Sequence, residues 1–426
     1  MKVNIVSATN LNNAAIDVEV LTLMSKKLRE NIEIQHVNWN HYKCPNASIN
    51  IFLHCMNYQF IQNAKVNIAV IDHENITDNI VDYLVNMDQV ICKSEYSYQI
   101  LETVLKKRGY ATDNLVVTGW RSPNIEVSVD KKNFGKFLLY CEQRNSDIYS
   151  KVIDEWEPGL PTLEVVGANT NILLRNTKAR KQQDNINYND TIQGEEFHKL
   201  FNECGYHLIL EDKASFEHLI NQCQQVGSIP IALFGGANKE IISNDTGFPL
   251  SCKKRKSEDG RLGSRFTCNP TLVIEKVKSI LELSDKSIQL ICKDAKLFSH
   301  RNTQKFESKF IEVLKKHVNT VRTTKKINFT IKEDKLPTVS IITPTYNRAK
   351  FFPLAIYNFN TFNYPREKLE WVIVDDSERG KSVEHLLPNK NSRVKYNINY
   401  IRLEEKHTIG AKRNIAVENS KNSIIV

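Results

Sequence analysis

Short apolar runs alternate along the chain with longer stretches in which apolar residues return every three or four positions. Residues 2–7 read as a strand, and the spacing from Asp17 through Leu21, Met24 and Leu28 reads as the helix after it. The same alternation predicts strands at 49–52, 66–71, 89–92 and 115–118, with helices at 80–86 and 96–107. A second series follows the polar stretch 130–133. Its strands are expected at 137–140, 162–166, 207–210 and 229–233. Its helices are expected at 149–156, 194–202, 214–225, 272–283, 287–296 and 303–317. Residues 319–335 are polar and basic with little periodicity, which predicts a linker. A third series then runs through strands at 339–342, 370–374, 398–403 and 423–426, with a helix carrying Phe352, Ile356 and Phe359. Strands alternating with helices imply parallel sheets covered on both faces.

The chain has 426 residues, more than one core sustains at about 100–200 residues per domain. The expected organisation is a Rossmann-like domain over 1–129, a second over 130–318, a linker over 319–336 and a partial α/β domain over 337–426. With 41% hydrophobic and 25% charged residues, the composition excludes disordered, fibrous and disulfide-scaffold classes. A net charge of +9 favours anionic partners without choosing among them. The densest basic run, Lys253, Lys254, Arg255 and Lys256, reads as a solvated loop, and no nucleic-acid motif accompanies it. Nine scattered cysteines without a CxxC pair read as reduced thiols. The start of the chain turns polar too soon for a signal peptide, and no apolar run reaches the about 18 residues of a membrane span. A cytoplasmic protein is expected, with neither a membrane span nor a nucleic-acid partner.

Candidate chemistry concentrates near the carboxyl end. An apolar strand runs into the polar loop 343–348, with Thr343, Thr345, Tyr346, Asn347 and Arg348 at a strand's carboxyl end, where open α/β sheets bind ligands. The next strand ends in Asp375, Asp376 and Ser377. Adjacent acids repel, so they suit a cationic or hydrogen-bonding ligand, or one of them caps the following helix. After the third strand, Gly410 precedes a helix with Lys412 and Arg413 in its first turns, a suitable place for a pyrophosphate.

These segments, VSIITPTYNR, EWVIVDDS and IGAKRN, resemble in order and spacing the inverting family-two glycosyltransferases of GT-A fold. The resemblance covers about the last ninety residues. It implies that the 343–348 loop and Asp375 or Asp376 hold the nucleoside of a nucleotide-diphosphate sugar, and that Lys412 or Arg413 approaches the donor. It also implies a carbohydrate or glycoconjugate acceptor. The family's DXD motif, which binds Mg²⁺ or Mn²⁺, and its general base would follow Val426. This form is therefore expected to be a fragment that does not itself catalyse GT-A transfer, with a divalent metal expected only in a longer form.

Residues 1–317 resemble, on shorter stretches, the retaining family-four GT-B enzymes. The stretches are Cys92-Lys93-Ser94-Glu95, Thr118-Gly119-Trp120, the 163–167 strand end and the segment around His218 and Asn221. The family's two glutamates fall here on Ala214 and Gln222, and its phosphate-binding lysine is absent unless Arg144 stands in. A non-catalytic GT-B-like module is expected. His218 reads as a packed, hydrogen-bonded residue, residues 235–238 as a flexible loop and Glu240 as a possible ligand contact. The competing readings are a carbohydrate- or partner-binding scaffold without chemistry, and an anion-binding protein acting on nucleic acid.

Overall fold

A computed structural model describes residues 1–8, 12–28, 32–41, 43–128, 132–141, 146–167, 183–189, 192, 194–212, 215–257, 260–318, 336–362, 364–387 and 397–426. The chain forms two compact units, residues 1–327 and 328–426.

The first sheet of unit 1 holds β1 (Lys2–Ser7), β2 (Glu33–Asn38), β3 (Ala47–Leu53), β4 (Ala64–Ile71), β5 (Gln89–Cys92) and β6 (Leu115–Val117). Their spatial order is β2-β1-β3-β4-β5-β6, and every neighbouring pair is parallel. Helices α1 (Asn12–Leu28), α2 (Asp78–Leu84) and α3 (Glu95–Lys107) connect strands of this sheet. The last six residues of β4 are buried, as expected for a strand covered on both faces. Strand β2 escapes the sequence pattern because it lies at the sheet edge and keeps polar residues such as Glu33, Gln35 and His36.

A second parallel sheet, in the order β12-β11-β10-β7-β8-β9, forms the other half of the unit. Its strands are β7 (Asn133–Tyr140), β8 (Thr162–Val166), β9 (Ile186–Asn189), β10 (Cys204–Ile209), β11 (Ile229–Leu233) and β12 (Phe248–Leu250). Helices α4 (Ser146–Asp154), α5 (Gly194–Glu203), α6 (His218–Val226) and α7 (Pro270–Leu281) belong to this half.

Three sequence expectations change here. Helix α6 starts at His218 rather than 214, because the Glu217 side chain caps it by accepting from Leu219 N–H at 3.1 Å. Lys253–Lys256 is not a loop but strand β13, paired antiparallel with β14 (Ser264–Thr267), and its side chains are all exposed. Backbone pairing sets this ribbon, and an all-basic strand shows no apolar period. The segments expected as two helices at 287–296 and 303–317 are one helix, α8 (Asp285–Val318), about 50 Å long at about 1.5 Å per residue. Its early part packs Ile288 into the second half's core, while Phe306, Phe310 and Leu314 join the core that holds Trp120, Val20 and Leu21. The buried stripe changes partner along the helix, so its periodicity looks interrupted in the sequence.

Unit 2 is a four-stranded sheet in the order β17-β16-β15-β18, parallel throughout. It comprises β15 (Val339–Thr345), β16 (Leu369–Asp375), β17 (Ile398–Arg402) and β18 (Ile424–Ile425), with helices α9 (Phe352–Thr361) and α10 (Ile409–Glu418). Trp371 stacks on Phe359 at 4.6 Å and on Phe352 at 5.6 Å, which fixes α9 on the sheet.

A pH prediction arises from the second core. His207 on β10 is buried, donates from Nε2 to Phe201 O at 3.1 Å, and is held neutral down to about pH 3, first by burial and then by the charge of Lys132. Its folded pKa lies below the unfolded value of about 6.5, so its contribution to stability is complete above that value and is lost as the pH falls. At pH 5 the unfolded chain gains about 1.5 pK units over the folded one, or about 2 kcal/mol. Urea unfolding at pH 7 and pH 5 should show an acid loss smaller by about that amount in His207→Gln. Equal losses in the parent and the variant would contradict this.

Candidate functional site

In unit 2 the polar groups gather at the carboxyl ends of β15, β16 and β17. Asn347 takes a left-handed conformation, φ 51°, which asparagine tolerates better than most residues. Its N–H donates to Ser377 Oγ at 2.7 Å and its Oδ1 accepts Glu378 N–H at 2.9 Å, joining the loops after β15 and β16. Asp375 is fully buried and accepts Ser377 N–H, Val383 N–H and Tyr400 O–H, each at 2.9 Å. Burial alone would raise its pKa, but these donors outweigh burial and hold the carboxyl below its ordinary range. Asp376 accepts Lys412 Nζ at 2.5 Å and His407 N–H at 2.7 Å, and its pKa is lowered against burial by the same partners. Lys412 also donates to Thr345 O at 2.9 Å, so one ammonium ties α10 to both loops.

Tyr346 stands among these groups. Its O–H donates to Glu378 Oε1 at 3.1 Å, and Lys406 Nζ lies 4.5 Å and Lys412 Nζ 5.7 Å from its ring centroid. The structure thus brings Thr345, Tyr346, Asn347, Asp375, Asp376 and Lys412 together. Thr343 serves the core side, accepting Trp371 Nε1–H at 2.8 Å on its hydroxyl, while Arg348 and Arg413 are exposed to solvent. The sequence alone assigned no role to Ser377, Lys406 or His407. Ser377 lies next to the acid pair, whereas Lys406 and His407 precede the α10 motif and act through a ring face and a backbone N–H, which no motif records.

Neither aspartate suits a divalent metal: the Lys412 ammonium already sits on Asp376, where its charge opposes a second cation, and Asp375 is buried with three internal donors. Among the described residues, the grouping with metal-like spacing is Asp17, His54 and Asp72 in unit 1.

In unit 1 the strand ends of the first sheet face the second half across a cleft. Asp17 of α1 accepts Trp120 Nε1–H at 2.5 Å and His218 Nε2 at 3.0 Å on Oδ1, and His54 Nε2 at 2.7 Å and the Lys93 ammonium on Oδ2. Four donors use the roughly four lone-pair sites of a carboxylate, which leaves no position for a ligand. Lys93 also pairs with Asp72 Oδ1 at 2.8 Å, so an ammonium already sits within the Asp17, His54 and Asp72 group and a metal does not fit there. Burial raises the Asp72 pKa. Asp17, in contrast, is held well below its ordinary value despite burial, by Lys93 and His218.

Further links cross the cleft. Glu74 accepts Ser215 N–H at 2.9 Å, and Ser122 N–H donates to Asn221 Oδ1 at 2.9 Å. Glu240 accepts the N–H groups of Glu95 at 3.0 Å and Tyr96 at 2.9 Å, so a protein carboxylate occupies the start of α3. A cavity of about 260 Å³ remains, lined by residues including Ser94, Thr118, Ser215, Glu240 and Lys305. His218 is packed and hydrogen-bonded, with Nδ1 3.0 Å from Ser122 Oγ. The 235–238 segment, expected to be flexible, leads into a 3₁₀ turn (Gly236–Glu240) in which Asn238 Nδ2 donates to Leu233 O at 3.1 Å. Gln222 is half-buried on α6, and Arg144 and Ala214 lie outside the described residues. The Asp17, His54, Asp72 and Lys93 cluster was not anticipated. Its one local trace is a charged residue, Asp17, in the apolar pattern of α1.

Residues 340–426 match the family model for glycosyl transferase family 2. No curated protein matches the chain in sequence. Among solved structures, the chain is similar to a glycosyltransferase from Rickettsia africae ESF-5, with TM-score 0.57, 15% identity and coverage of 75% of this chain and 99% of that one. It is also similar to sucrose-phosphate synthase from Thermosynechococcus elongatus (TM-score 0.53, 11% identity, 74% and 98% coverage). A third is the E. coli trehalose-6-phosphate structure bound with UDP-2-fluoro glucose (TM-score 0.53, 10% identity, 75% and 100% coverage). Unit 2, residues 328–426, is too short to supply such coverage, so the likeness lies mainly in unit 1. Unit 1 therefore has the GT-B arrangement of two Rossmann-like halves, and unit 2 holds the segment that is similar to glycosyl transferase family 2. Among the described residues no helix is long and apolar enough to cross a membrane.

Proposed function

We propose that unit 2 binds the nucleotide part of a nucleotide-diphosphate sugar, in the service of sugar transfer to a carbohydrate or glycoconjugate acceptor, and that unit 1 performs no sugar chemistry. The observation that carries this reading is the Tyr346 ring, flanked by Lys406 and Lys412 and set on two loops that Asn347, Ser377 and Asp376 hold together. An aromatic face stacks a base. Lys406, Arg348 and Arg413 are exposed cations, suited to offsetting diphosphate charge while Asp376 keeps Lys412 in place. For unit 1, the support is that Asp17 accepts four internal donors and that Gln222 stands where the family has a glutamate.

Calorimetric titration of uridine and guanosine diphosphate into the full chain tests this. Micromolar binding of one of them is expected, unchanged by a chelator because the Lys412 ammonium already neutralises Asp376 and Asp375 is buried within its own loop. Tyr346→Ala should weaken it about tenfold, near the lower end of base-stacking contributions. No heat with either nucleotide, or binding indifferent to Tyr346→Ala, would count against the assignment.

A further inference from the structure

The β13–β14 ribbon leaves the second half of unit 1 and reaches the first. Leu262 N–H donates to Ile76 O at 3.1 Å, Arg261 bridges Thr77, and Phe266 meets the Tyr96 ring at 6.0 Å. Gly263, with φ 86°, passes so close to His73 that a Cβ would lie 2.6 Å from the imidazole. The ribbon is therefore a strap between the halves, and its root carries two cysteines. In this ladder Lys253 faces Thr267 and Lys254 faces Phe266, so one step outward sets Cys252 opposite Cys268. Strand alternation puts both on the face of Phe266, and Cys252 Sγ and Phe266 both crowd Gly235. Both cysteines pack against the second-half core yet are only half-buried, so a small reagent can reach them. Opposed residues of an antiparallel pair stand about 4.5–5.5 Å apart at Cα, inside the about 4.4–6.8 Å that a disulfide spans.

We propose that Cys252 and Cys268 form a redox-modifiable pair that closes into a disulfide at the root of the strap, with a low-molecular-weight disulfide as oxidant. One cysteine thiolate attacks a sulfur of the small disulfide, forming a mixed disulfide and releasing one small thiolate, which takes up a proton. The second cysteine, deprotonated, attacks the protein sulfur of that mixed disulfide and expels the other small thiolate. The two protein thiols are oxidised by two electrons, and the small disulfide is reduced to two thiols. Burial raises both cysteines, Cys268 to about 11, so closure is slow at neutral pH and quickens about tenfold per pH unit below that value. Cys292, half-buried beside the same core, is the competing partner.

The test treats the full chain with oxidised glutathione at pH 8.5, blocks remaining thiols under denaturing conditions and maps tryptic peptides. Cleavage after Lys253 and Arg265 places the two cysteines on separate peptides. The expected result is one cross-linked peptide joining Cys252 to Cys268, two hydrogens lighter than the pair, with seven of the nine thiols still blocked and full reversal by dithiothreitol. In Cys252→Ser the cross-link should vanish and Cys268 should remain a thiol or a mixed disulfide. Glutathione adducts on both cysteines of the parent, a link from either to Cys292, or nine blocked thiols would each overturn the proposal.

Discussion

Asp17→Ala is expected to destabilise unit 1 by about 3–5 kcal/mol, the cost of breaking a buried ion pair from one side. The variant strands the Lys93 ammonium with Asp72 alone and leaves Trp120 Nε1–H, His54 and His218 without their shared acceptor. Each orphaned buried donor costs about 1–3 kcal/mol, although Asp72 recovers part of the Lys93 term. At about 2–4 °C per kcal/mol, the melting temperature should fall by roughly 10 °C. Asp17→Asn, which keeps an acceptor oxygen for Trp120 Nε1–H and His218, should lose less than Asp17→Ala. Acid acts in the same direction. Since the folded pKa of Asp17 is depressed, its contribution is present above about pH 4 and disappears as the pH falls through the folded value. An Asp17→Ala chain that melts within a degree or two of the parent would show that this cluster does not join the halves.

The second large effect concerns unit 2. Lys412→Met should weaken nucleoside-diphosphate binding about a hundredfold, about 2.7 kcal/mol, because it releases Thr345 O and leaves the Asp376 carboxylate with only the His407 N–H. Arg413→Ala, at an exposed position on the same helix, should cost only a few-fold through the lost field of one screened charge. If Lys412→Met alone unfolds the unit, Asp376→Asn with Lys412→Met removes both charges and separates folding from binding. Calorimetry paired with circular dichroism decides between the two residues. Intact binding in folded Lys412→Met together with loss in Arg413→Ala would reverse the roles assigned to them.

Much of unit 2 was legible because its site lies close in sequence to its strands. The Ile and Val runs of β15 and β16 mark buried parallel strands, and the polar residues that follow occupy the carboxyl ends where such sheets bind ligands. Within that site the sequence left Asp375 against Asp376, and Lys412 against Arg413. Packing distinguished them: Asp375 supports its own loop and Asp376 grips Lys412, while Arg413 faces solvent.

The alternation of apolar runs and helical periods by itself determined two α/β halves and a third segment, since burial on a strand or a helix face imposes a period that survives in any local window. Only the tertiary structure decided the contents of the cleft. Asp17 meets Lys93 across 76 positions and His218 across 201, and a buried charge selects its partner by proximity and desolvation, neither of which has a period in sequence. The basic strand β13 and the continuous α8 belong to the same class, because a cross-strand ladder set the first and a change of packing partner midway set the second.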